Sequence, residues 1–528
     1  MLTCLTLLAF LGACAARSGP GDPTAEQARP ALVVMITVDQ LRADYLDRWK
    51  GQYTGGLKRL LDEGAVYLNG HQDHAITETA PGHSTLLSGR FPRNTGITRN
   101  LAGVNTPGAP LVSGTGAPAS PSLFRGTTLV DWMTAVDPRT KVLSVSFKDR
   151  GAILPIGRSK QEVYWWSASG FFTTSRWYRD ALPDWVKQFN ATAPRSYAGR
   201  EWNLLLDPSK YAEPDSVPVE SRGRGFLFPY RLSAAPDTAA AQLPGFPFMD
   251  EVIGAMALRG VEALGLGTGS QTDVLAVSFS TTDLIGHRFG PDSREIHDQV
   301  VRLDRVLGVF IDSLAKLRGA GRLVLALTGD HGVTPFPELH NGRVTPAPVR
   351  VDMGPALRAA AQVVTSARGN VRAVDFESGA LLIERDSLGV DLEHLGAVVR
   401  TTVDSFLAVA RRIPGVLRAE RHSEIPRDPS RQDAISRRWT NMFPSDVPVE
   451  AVVTLTPGSY WHTVFYALHG TPHDSDSNVP IVFWGAGVKP GRHDTFARTV
   501  DIAPTLAQLL DVQPTEQLDG RPLTAVFR

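Results

Sequence analysis

Five stretches of the chain do not alternate between apolar and polar positions but run nearly continuously apolar, and each lies next to polar residues able to do chemistry. Ala31–Val38 (ALVVMITV) stops at Asp39. Lys141–Phe147 (KVLSVSF) is followed by Lys148-Asp149-Arg150, and Asp273–Ser280 (DVLAVSFS) by Thr281-Thr282-Asp283 and then Gly286-His287. Arg322–Thr328 (RLVLALT) leads into Gly329-Asp330-His331-Gly332, while Val479–Gly485 (VPIVFWG) comes shortly after His469-Gly470. Short runs rich in β-branched residues predict strands buried on both faces, the mark of a parallel sheet. Between them, positions 294–318 and 502–511 carry helical periodicity. Strands alternating with helices predict an α/β fold, a three-layer α/β/α sandwich around a mostly parallel sheet with inserted cap segments.

Two blocks interrupt that rhythm. Residues 151–250 are rich in Trp, Tyr, Phe and Pro without a long periodic run, and predict an inserted, loop-rich cap. Residues 340–460 hold a strand–helix set of their own and predict an inserted subdomain. The frame is then a catalytic domain over 31–528, preceded by a signal over 1–17 and a Gly-, Pro- and Ala-rich linker over 18–30. The apolar run Met1–Cys14 is too short to span a bilayer, so it reads as the hydrophobic part of an export signal. Leu11-Gly12-Ala13-Cys14 resembles the lipobox of bacterial lipoproteins, which predicts a lipid anchor at Cys14. Cleavage after Ala13 or Ala15, giving a soluble periplasmic protein, is the alternative. The expected location is the periplasm, with the outer membrane as the anchoring surface. Both cysteines lie in this segment, so the mature body carries no internal disulfide.

Charge narrows the partners. Lys+Arg 54 against Asp+Glu 54 gives no reason to expect nucleic acid or an anionic membrane surface. The expected partner is a small molecule, and the chain is expected to act as a monomer.

Ligands of open α/β sheets gather at the carboxyl ends of the strands. There the sequence offers Asp39, Asp283 with His287, Asp330 with His331, and His469. Each alone has a plainer reading: a turn-capping aspartate, a helix-surface pair, a solvated loop histidine. Together they are three carboxylates and three imidazoles, ligand types suited to catalytic zinc, enough for two Zn2+ ions. Thr79, just before Pro81 in Thr79-Ala80-Pro81-Gly82-His83, sits at a predicted helix start, where unpaired N–H groups favour an anion. A capping threonine is the plain reading there; beside two metal ions the same hydroxyl becomes a nucleophile that needs no neighbouring base.

The ordered set Val38-Asp39, Thr79-Ala80-Pro81-Gly82-His83, Asp283-x-x-x-His287, Gly329-Asp330-His331-Gly332 and His469-Gly470 resembles the alkaline phosphatase superfamily. It is most similar to the nucleotide pyrophosphatase/phosphodiesterase branch and to the phosphate-irrepressible bacterial alkaline phosphatases with a threonine nucleophile. The resemblance implies that Asp39, Thr79, Asp330 and His331 surround one zinc and that Asp283, His287 and His469 bind the other. In Leu468-His469-Gly470-Thr471-Pro472-His473, His473 is the alternative last ligand, and the His-Gly pair favours His469. The Cys/Ser-x-Pro-x-Arg motif of sulfatases is not matched. Lys148 and Arg150, two apart after a strand, are expected to project to the same side. With Asn100 they resemble the phosphate-binding set of the monoesterases, whereas diesterases of the branch share the asparagine and lack the Lys/Arg pair. The implied activity is zinc-dependent phosphate monoester hydrolysis through a phosphothreonine on Thr79, releasing inorganic phosphate from a broad range of monoesters. Phosphodiesterase or nucleotide pyrophosphatase chemistry on the same bimetal site is the alternative.

Overall fold

The computed structural model describes residues 29–101, 103–339, 342 and 344–528. The signal, Cys14 and nearly all of the predicted linker lie outside the described residues. Strands β1 (Leu32–Val38), β2 (Ala65–His71), β3 (Val142–Ser146), β4 (Glu162–Trp166), β5 (Phe172–Thr173), β6 (Asp273–Phe279), β7 (Leu323–Gly329), β8 (Asn478–Gly485) and β9 (Gly491–His493) form one sheet. Their order is β9-β2-β8-β7-β1-β6-β3-β4-β5, with Ala497–Arg498 also pairing on β2. β1 runs parallel to both β6 and β7, and β3 parallel to β6 and β4.

Alternate residues of β1 explain its unbroken apolar run. Leu32, Val34, Ile36 and Val38 enter one buried core, while Val33 and Met35 enter the other. The first core is shared with helices α2 (Phe248–Leu264) and α4 (Arg294–Arg318). The second is shared with α1 (Thr79–Leu86) and α5 (Ile502–Leu509). Helices cover both faces, which makes the three layers.

β8 is antiparallel to both of its neighbours, β7 and β2. Its N-terminal end therefore lies at the same edge of the sheet as the C-terminal ends of β1, β3, β6 and β7. Residues leaving β1, β3, β6 and β7 and those entering β8 converge at that edge. Within residues 151–250, β4 and β5 continue the main sheet, and Trp202 and Tyr230 pack into the first core.

Within 340–460 a second, four-stranded antiparallel sheet pairs Val374–Glu377, Ala380–Ile383, Val449–Leu455 and Val416–Arg421 in that order. Helices Gly354–Ser366 and Leu392–Ala410 back it with a separate core. Glu377 pairs with Ala380, leaving a two-residue turn of Ser378 (φ 49°) and Gly379 (φ 87°), the geometry that suits a tight hairpin. This hairpin tip rests on the start of α1: Ser378 Oγ donates to Glu78 Oε1 at 2.6 Å, and Arg99 pairs with Glu377 and Asp375. No described helix is long and apolar enough to cross a membrane.

Candidate active site

Two ligand groups meet at the sheet edge. Asp39, Asp330 and His331 offer one set of donor atoms and Asp283, His287 and His469 another, each set lying within 4.8 Å of one another. Asp39 leaves β1, Asp330 and His331 leave β7, and α3 (Thr281–Phe289), which follows β6, carries Asp283 and His287 one turn apart. His469 comes from the loop before β8. The groups adjoin: the rings of His331 and His469 stack at 3.7 Å between centroids, and the Nε2 atoms of His287 and His469 are 3.2 Å apart. His473 points elsewhere, its Nε2 bonded to Leu455 O at 2.7 Å.

The outer nitrogens decide what the inner ones can do. Nδ1 of His287 donates to Ala467 O (2.6 Å), Nδ1 of His331 to Gly332 O (2.9 Å) and Nδ1 of His469 to Thr77 O (2.8 Å). A carbonyl only accepts, so each Nδ1 carries the proton and each Nε2 faces the cluster as the ligating end. The carboxylates match. Both oxygens of the buried Asp39 and Oδ2 of Asp330 accept no hydrogen bond, although Lys148 Nζ lies 2.8 Å from Asp39 Oδ2 as an ion pair. Buried carboxylates without donors are costly unless a cation meets them. Asp39, Asp283 and Asp330 crowd together here and Lys148 pairs with only the first two, so this donor set fits divalent metal.

The electrostatics follow from that crowding. Burial, then repulsion from Asp283 and Asp330, pushes the Asp39 carboxyl well above the usual carboxylate range. Burial also disfavours the charged form of Asp283, but attraction to Lys148 and His287 outweighs it and holds that carboxyl well below the range. Burial lowers His469 and His331, with like-charged neighbours adding to the effect on His469. His287 is raised instead, because Asp283 beside it outweighs burial.

Thr79 is the first residue of α1. Its Oγ1 is 3.3 Å from Lys148 Nζ and 3.4 Å from His331 Nε2, so it faces the first ligand group. Glycine at 82 is what lets the helix start come this close: a Cβ there would lie 2.1 Å from Asp330 O. Asn100 is fixed from two sides. Its backbone N–H donates to Glu78 Oε2 (2.8 Å), and its Oδ1 accepts the Ala80 N–H (2.8 Å), leaving the NH2 end as the outward donor.

Lys148 and Arg150 do not sit on one strand. Residues Asp149–Ile153 form a short helix instead of prolonging β3, so the strand spacing expected for the pair does not apply. Lys148 turns inward, buried, onto Asp39 and Asp283 (2.5 Å to Oδ2), while Arg150 stays half-buried beside Asp149 at 3.6 Å.

Two residues in the site are given no role by the sequence. His83 is fully buried, with Nδ1 bonded to Thr79 O (2.9 Å) and 3.1 Å from Asp330 Oδ2, and Nε2 3.0 Å from Ser278 Oγ. Gln40 lies between the two ligand groups.

A family model described as type I phosphodiesterase/nucleotide pyrophosphatase matches residues 33–380. The chain belongs to that family, within the alkaline phosphatase superfamily. It is 32% identical to alkaline phosphatase PhoK of Sphingomonas sp, over 94% of this chain and 91% of that protein. Identity to alkaline phosphatase PafA of Elizabethkingia meningoseptica is 30%, over 94% of this chain and 95% of that protein. The crystal structure of wild-type alkaline phosphatase PafA superposes with a TM-score of 0.84 at 28% identity, covering 95% of this chain and 99% of that one. The ligand groups and Thr79 all lie on the framework of this phosphodiesterase and phosphatase family.

Proposed function

We propose that the chain is a zinc-dependent phosphate monoester hydrolase that works through a phosphothreonine on Thr79 and releases inorganic phosphate from varied small-molecule monoesters. The observation that carries this reading is the orientation of His287, His331 and His469. A backbone carbonyl holds each Nδ1, so each Nε2 is left for a ligand beside the buried carboxylates of Asp39, Asp283 and Asp330. Two zinc ions bound by the two groups would supply positive charge to the attacking and departing oxygens of an in-line displacement.

The chain's own residues supply the rest. Thr79 Oγ1, its proton having passed to solvent, forms a bond to phosphorus as the ester P–O bond breaks, and the departing oxygen takes a proton from solvent to leave as the alcohol. Water then forms the new P–O bond while the P–Oγ1 bond breaks, which restores Thr79. Asn100 donates its NH2 end to a phosphoryl oxygen. Lys148 and Arg150 add cationic charge, and a monoester dianion rewards this more than a diester does.

In this reading the chain acts as a monomer. The apolar start and Leu11–Cys14 support export to the periplasm, with Cys14 lipidated or the signal removed. The blocks at 151–250 and 340–460 act in this reading as insertions framing the substrate mouth. The type I phosphodiesterase family match favours a second reading, diester or pyrophosphate hydrolysis on the same groups. Comparing kcat/KM for an aryl phosphate monoester and the matching diester on the zinc-loaded protein tests the choice. A monoester preference of several orders of magnitude is expected, and a diester preference would overturn it.

A further inference from the structure

We propose that Gln40 is a positioning residue that ties the two ligand groups to each other; this rests on the metal-dependent reading above. Gln40 follows Asp39 and is fully buried. Its backbone N–H donates to Asp330 Oδ1 at 3.0 Å, in the first group. Its side-chain Nε2 donates to Asp283 Oδ1 at 3.0 Å, in the second. One residue thus places a donor on a carboxylate of each group, and it is covalently joined to a third, Asp39. A rigid link of this kind fixes the spacing between two cations, and spacing sets whether both can act on one phosphoryl group.

The backbone shows that the placement is imposed. Gln40 has φ +64°, in the left-handed region that a side chain such as glutamine rarely adopts. A turn needing only that conformation would be served by glycine. The side chain has its own fitted seat: a Cβ at Gly286 would come within 1.8 Å of Gln40 Oε1. Gly286 lies on α3 between Asp283 and His287, so the helix that presents the second group also makes room for the residue that clamps it.

The geometry makes a selective prediction. Gln40→Gly accepts the positive φ and keeps the backbone N–H on Asp330, and it removes only the donor on Asp283. A two-phase Zn2+ titration of the chelator-stripped full chain, against a chromophoric competitor, reads the two affinities separately. The expected result is one affinity lowered about ten- to a hundredfold, the size seen when a group that orients a metal ligand is lost, with the other unchanged. Gly286→Ala, which displaces the same side chain from the opposite side, is expected to give the same one-sited loss. The spacing also predicts that kcat at saturating zinc falls in both variants while the melting temperature of the stripped protein stays close to wild type. Two unchanged zinc affinities in both variants would overturn the inference, as would equal weakening of both sites together with a lower melting temperature, which marks general loosening. Wild-type protein that binds fewer than two zinc ions would instead overturn the metal-dependent reading, so the two failures are distinguishable.

Discussion

Replacing Lys148 by Met tests the charge balance of the site. The Lys148 ammonium is buried, 2.8 Å from Asp39 and 2.5 Å from Asp283. Burial alone would lower its pKa, but Asp283 and Asp39 raise it, so it is a cation that two buried carboxylates share. Methionine keeps most of the side-chain volume and removes the charge. Removing one partner of a buried ion pair costs about 3–5 kcal/mol, because the group left behind stays buried and unpaired. Metal-stripped Lys148→Met is therefore expected to lose about that much stability at pH 8. Zinc should return more stability to the variant than to wild type, since metal charge then replaces the lost ammonium; a site at a thousand times its Kd contributes about 4 kcal/mol. The pH dependence has a definite sign. Asp39 has a folded pKa above its unfolded value near about 4 and rises further once Lys148 is gone. Its penalty is complete above the folded pKa and fades as pH falls towards about 4, so the deficit of the variant should shrink in acid. Denaturation curves of both proteins, stripped and zinc-loaded, at pH 8 and pH 5, measure all of this. A stripped variant as stable as stripped wild type at pH 8 would refute the reasoning.

Three further outcomes are expected. Thr79→Ala should lower monoester turnover by at least about a thousandfold while metal analysis still finds two zinc ions; near-normal turnover would remove Thr79 as the nucleophile. Asn100→Ala should cost about 10²–10³ in kcat/KM on either substrate, the scale for a lost donor to developing charge, whereas Arg150→Ala should cost as much on a monoester and much less on a diester. Equal losses from Arg150→Ala on both substrates would argue against a monoester site. Away from the site, Glu220 is buried, and burial, then Glu295 and Asp215, raise its pKa to about 9. The folded state keeps this proton longer than the unfolded state, so Glu220 by itself should lower stability by about 1.4 kcal/mol per pH unit between about pH 5 and pH 9, with Glu295 and Asp250, raised to about 7 and about 6, adding to the fall below about pH 7. Glu220→Gln should flatten that slope, as urea denaturation across the range would read.

The hydrophobic pattern revealed those parts of the fold whose physics is local. β1, β6 and β7 are apolar on both faces and ended within a residue of their predicted limits, and α4 spans the predicted residues 294–318. β2 was not legible, because Asn69 and Gly70 break its apolar run and its outer half is only partly buried. β4 and β5 were hidden among aromatic residues that look the same in a loop until they pair. The antiparallel direction of β8 leaves no trace in its composition, yet that direction brings His469 to the common edge. The six residues of the two metal-capable groups were legible because each abuts a strand end or carries a motif. Gln40 was not, since nothing in a glutamine's neighbours in sequence signals a positive φ or a carboxylate 243 positions away. That Lys148 and Arg150 lie beyond the strand was equally hidden, as it depends on a helix of only five residues.

The position of β8 has a consequence for assembly in time. It lies between β7 and β2, although β2, β7 and everything between them precede it in the chain. A chain emerging from its N-terminus therefore carries a sheet that ends at β7, with β2 still unpaired, until residue 485 has been made. Until then the outer edge of β7 and both edges of β2 present unpaired N–H and C=O groups, open to strands of other molecules. The segment that fills the gap follows directly on the loop bearing His469. Closing the sheet and completing the second ligand group are one event, so a chain stalled or cut before residue 469 holds an exposed edge and half a site. Two bound metal ions would in turn mark a chain that has been made and folded to its last long strand.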